Sequence, residues 1–148
     1  MNSETGSIAA FLYKQCDVPV YESELPEQFQ VPSLYIPPPS VFDENDTVST
    51  FKKTYSLNIK LFHLDSVQAL YTADRIADAV RESRQQIPLL TEAGEHTGDF
   101  IRITRMETRI GNKGEAVIMI RWTSRYYYQK HSNPALRDID INSGVKQK

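Results

Sequence analysis

The chain has almost no cysteine. Cys16 stands alone among 148 residues, so an internal disulfide is excluded and the fold does not depend on oxidation. Histidine is scarce too. His63, His96 and His131 lie in three separate segments with no pair at metal-ligand spacing, and no second cysteine completes a zinc knuckle. No metal and no cofactor are expected. Long apolar runs are missing as well, since nothing approaches the roughly 20 apolar residues that span a bilayer. The first twenty residues carry no basic segment followed by an apolar run. These absences predict a soluble chain of cytosolic origin, without a signal peptide or a membrane partner.

Catalytic patterns are equally thin. The turn glycines Gly111 and Gly114 would let backbone amides approach an anion as in a phosphate loop, but Glu115 follows where a phosphate loop needs Lys and Ser or Thr, and a strand follows where it needs a helix. No serine stands in a Gly-x-Ser-x-Gly elbow. Asp43, Glu44 and Asp46 form an acidic cluster, and carboxylates can hold the magnesium ion of a nuclease. Here Asn45 interrupts them and a proline run precedes them, so a solvated loop tip is the simpler reading. No enzyme is expected.

What is present is the material for one domain. A chain of this length buries roughly 70% of the surface its unfolded form exposes, enough for a core without staples. Net charge is −2 and unevenly spread: residues 1–74 hold four Lys/Arg against ten Asp/Glu, and residues 75–148 hold thirteen against nine. Either the charges intersperse on the folded surface, or the subunit has an acidic and a basic side suited to head-to-tail packing.

Periodicity orders the elements. Residues Ser7 to Gln15 read as a short amphipathic helix, Val18 to Tyr21 and Val31 to Ile36 as brief strands, and Pro37 to Pro39 as a stiff stop. The stretch 37–49 reads as an extended arm with an acidic tip. From Thr50 to Phe62, Phe51, Tyr55, Leu57, Ile59 and Leu61 alternate with polar residues, the signature of a strand buried on one face. Asp65 or Ser66 caps a helix to about Gln86, with Val67, Leu70, Ala73, Ala77 and Val80 along its apolar stripe. Phe100 to Arg109 and Glu115 to Tyr128 read as a hairpin turning at Gly111–Gly114. Together these predict an α+β domain over 1–131, with a mostly antiparallel sheet of about four to five strands, two helices on one face and extended arms. Residues 132–148 read as a polar C-terminal tail.

The hairpin interleaves Arg102, Arg105, Arg109, Lys113, Arg121, Arg125 and Lys130 with Trp122, Tyr126, Tyr127 and Tyr128. Basic groups neutralise phosphates and aromatic faces stack bases, so a nucleic-acid-binding module is an alternative. Against it, Glu107 and Glu115 break the patch, and half of the aromatics face the core.

The helix before Val20-Tyr21, the Pro-flanked strand ending Leu34-Tyr35-Ile36, the Lys53-Thr54-Tyr55-x-Leu57-x-Ile59 strand, the Asp65–Gln86 helix and the closing Arg125-Tyr126-Tyr127-Tyr128 together resemble a known family. The layout over residues 5–130 is similar to that of tail terminator, or tail-to-head joining, proteins of tailed bacteriophages and defective prophages. The proline run and the C-terminal tail lie outside the shared pattern. The resemblance implies a homo-oligomeric ring, usually of six copies, that caps the tail tube and ends its polymerisation. Its partners would be the tail tube protein, the head connector or neck protein and, in a contractile tail, the sheath. Genomic DNA would pass through the lumen without specific binding. The chain would belong to the virion tail or neck, assembled in the host cytoplasm; another neck or head-completion component is the near alternative. Candidate interface residues are Val41, Phe42, Asp43, Glu44 and Asp46 on one copy, facing Lys52, Lys53, Arg121 and Arg125 on the next.

Overall fold

The computed structural model describes residues 3–16 and 18–129, with the backbone of 143–144 and 146–147. The elements in chain order are α1 (Ser3–Gln15), β1 (Val20–Glu22), β2 (Ser33–Ile36), β3 (Ser40–Asn45), β4 (Thr50–Phe62), α2 (Ser66–Glu82), β5 (Gln86–Leu90), β6 (His96–Ile110) and β7 (Glu115–Tyr127). The class is α+β, as expected. The sheet is larger than expected: seven strands run β1-β2-β4-β7-β6-β5, and β3 joins β4 beside β2. All pairings are antiparallel except β1 with β2. The polar tail expected over 132–148 lies outside the described residues, apart from a short antiparallel pair of Ser143–Gly144 with Lys146–Gln147.

Two strands account for the difference. β3 occupies the segment expected to be a free arm, because β4 extends far enough to template it from Ser40 opposite Ser56 to Asn45 opposite Phe51. Its exposed acidic residues gave no apolar period, but they meet Lys53 and Lys52 across the ladder. β5 lies where the end of the long helix and its proline stop were expected. Pro88 is compatible with a strand at the sheet edge, where its missing N–H deprives no neighbour.

The core lies between the sheet and the two helices. Leu57, Ile59 and Leu61 of β4 and Ile118, Ile120 and Trp122 of β7 are buried with Ile8 and Leu12 of α1 and Ala73, Ile76 and Val80 of α2. The period-two pattern of β4 held, and the full β4–β7 register runs from Thr50 opposite Tyr127 to Phe62 opposite Glu115. The helical stripe was rotated in the sequence reading: Val67 is exposed, Leu70 is half-buried, and Ala69 takes the core position. Asp65 caps α2, its carboxylate accepting the Gln68 N–H at 2.8 Å. At the other end, Gln85 N–H donates to the Val80 carbonyl and Arg84 N–H to that of Arg81, closing the helix while Arg84 sits at φ 60°.

β6 changes partner along its length. Residues 96–102 pair with β5, and residues 103–110 pair with β7. A β-bulge at Thr104, between Ile103 opposite Trp122 and Arg105 opposite Arg121, resets the alternation. Ile101 and Ile103 face the helices before it, Met106 and Thr108 after it, and the Thr104 hydroxyl donates to the Arg121 carbonyl at 3.0 Å.

Candidate assembly interface

The residues singled out in the sequence gather at one end of the molecule, where β3, β4 and β7 lie side by side. Register assigns them to two faces. Phe42, Glu44, Lys52, Arg121 and Arg125 share the face without helices; Val41, Asp43 and Lys53 share the helix-bearing face. Val41 and Phe42 are 45% and 50% exposed, so the described residues leave both side chains partly uncovered.

The acidic cluster is neither a free tip nor a metal cradle. Asp46 is bound inside its own chain: its carboxylate lies 2.6 Å from Arg125 Nε and 3.6 Å from Lys52 Nζ, and it accepts the Thr50 hydroxyl at 2.8 Å. The Thr50 hydrogen bond, with Arg125 and Lys52 beside it, holds this carboxyl below its ordinary range against the opposing effect of burial. Asp43 stands opposite Lys53 and Glu44 opposite Lys52. Charges placed on two different copies in the sequence reading therefore meet first within one copy. Among the described residues no group of His, Cys, Asp and Glu could hold a metal ion.

A network with no signal in the sequence braces this end. Tyr55 stacks on Trp122 with ring centroids 5.1 Å apart, and its hydroxyl lies 2.8 Å from that of Tyr126. Tyr126 donates to Glu4 at 3.0 Å, and Ser124 also donates to the Glu4 carboxylate. Glu4 belongs to the first turn of α1, more than a hundred residues away in the chain, so only the folded topology brings it here. Burial, reinforced by the Tyr55 hydroxyl and the Glu4 charge, pushes the Tyr126 phenol well above its usual range and keeps it protonated. Lys53 Nζ sits 5.5 Å from the Tyr126 ring centroid, a cation–π contact on the same face. Beyond this brace Val48, Tyr127 and Tyr128 are exposed. The aromatic density of the last strand was legible; its division into a buried Trp122 and an outward Tyr127 follows the expected alternation.

No protein-family model matches the chain. The Bacillus subtilis (strain 168) phage-like element PBSX protein XkdJ is 71% identical over 146 residues, spanning 99% of this chain and 100% of that protein. The chain belongs to the XkdJ family. A second member of the XkdJ family, the uncharacterized protein YqbJ of the same strain, is 51% identical over 146 residues, again spanning 99% and 100%. Among solved structures, a chain from the virion of a native gene transfer agent particle is 16% identical, with a TM-score of 0.46, covering 86% of this chain and all of that one.

Proposed function

We propose that this chain is a structural subunit of a phage-like particle, forming a ring of six copies that caps the tail tube, ends its polymerisation and joins it to the head connector. The observation that carries this reading is end-to-end kinship with a phage-like element protein, at a level where fold and assembly role are normally shared. The geometry is compatible: Val41 on one face of the sheet, Phe42 and Tyr127 on the other, and Val48 in the loop beyond β3 are all exposed toward the β3–β4–β7 end, where partners could cover them. No catalytic constellation is needed for such a role, and the tail tube and connector would supply the remaining contacts.

The test is genetic and structural together. Removing the gene from a strain that makes the particles should leave tails of uneven length without heads, seen by electron microscopy. Normal joined particles from the deletion strain would overturn the proposal. Native mass spectrometry of the purified protein with its tube partner should give a closed ring mass.

A further inference from the structure

The sheet leaves two long edges open, on opposite sides of the same strands. β3 pairs with β4 on one side, and none of the described strands pairs with its other side over residues 40–45. Residues 105–110 of β6 pair with β7, while β5 reaches only residues 96–102, so their outer side is open too. Each open edge is six residues long. Open edges present unpaired backbone N–H and C=O groups and bind another strand unless something blocks them.

The two edges match in direction and in chemistry. β3, β4, β7 and β6 alternate in direction, so repeating this set side by side places β6 of one copy antiparallel to β3 of the next. In the register that sets Glu44 of β3 opposite Arg105 of β6 on the helix-free face, the charges are opposite, while Phe42 meets Glu107, which also pairs with Arg105 at 3.6 Å along its own strand, and Ser40 meets Arg109. On the helix-bearing face exposed Val41 is then opposite Thr108, with half-buried Met106 and the 56% exposed Ile110 as its diagonal neighbours. We infer that copies of this chain join by edge-to-edge strand addition, β3 of one copy pairing with residues 105–110 of β6 in its neighbour. The occupant of each edge is thus a second copy of the chain, and the contact is heterologous, as closure into a ring requires. This rests on the ring reading above and specifies how the ring is held.

The experiment uses two variants that each spoil one edge. Arg105→Glu with Arg109→Glu reverses the β6 edge. Glu44→Lys with Lys52→Glu reverses the β3 edge while keeping the opposite-charge pair across the β3–β4 hairpin. Circular dichroism checks that each still folds. In sedimentation at low salt each variant alone should associate at least about tenfold more weakly than wild type. An equal mixture should regain rings with the two variants alternating, because each reversed edge then meets its complement. Rings that persist in both variants alone, or a folded mixture that stays dissociated, overturn the edge pairing and leave the ring reading standing. A wild-type chain that stays monomeric, with and without the tube protein, overturns both.

Discussion

At the scale of single residues, the hydroxyl chain from Tyr55 through Tyr126 to Glu4 ties three elements together with groups that cost free energy if left unpaired. Folding raises the Tyr126 phenol above its ordinary value of 10.0. A group raised on folding contributes stability that is complete below its unfolded value and is lost as pH climbs past it. The folded protein should therefore lose stability above about pH 10 through this group, and urea unfolding at a series of alkaline pH values should show that slope. Tyr126→Phe should remove this part of the slope and cost about 0.5–1.5 kcal/mol at neutral pH. Leu57 carries a different load. Fully buried between sheet and helices, its truncation to Ala should cost about 2–5 kcal/mol, read from the shift of the denaturation midpoint.

The secondary elements carry their own tests. Asp65→Ala should lower stability by about 1 kcal/mol, since the Gln68 N–H loses its acceptor. Arg84→Gly should act in the opposite direction, raising stability by up to about 1 kcal/mol. The left-handed conformation at that position costs a side chain about 1–2 kcal/mol and costs glycine little, the difference being trimmed by glycine's greater freedom when unfolded. Elements with one buried face were readable in the sequence, because burial imposes a period: β4, β7 and the long helix were found close to their observed bounds. β3 has no buried residue, and β5 contains a proline, so neither carried a period to read. The interface candidates were found as residue types, without the pairings they make inside the chain. Charge complementarity names what attracts what, but only the folded side chains show that Asp46 meets Lys52 and Arg125 in its own chain. The Glu4 brace was invisible for the same reason.

For the whole molecule, the side of the sheet that bears no helix carries charges of both signs, Glu44 and Glu107 among a larger number of basic residues. Lys52, Lys60, Arg109, Arg121 and Arg125 all emerge on the side of the sheet that bears no helix. Added salt should weaken any association that uses this face, with sedimentation coefficients falling as ionic strength rises. The bulge at Thr104 acts at this scale too. An extra residue bends its strand and increases the local twist, and here it sits just where β6 leaves β5 for β7, immediately before the open edge. The angle at which that edge is offered to a neighbour is thus fixed by one residue in the interior of a strand, away from the contact itself. In a row of identical copies that angle accumulates, and the number of copies reached before the row meets its own start is decided by it. Stoichiometry would then be a property of the monomer's curvature. Lengthening or deleting the bulge would alter how many copies close the circle, even with every contact between them preserved.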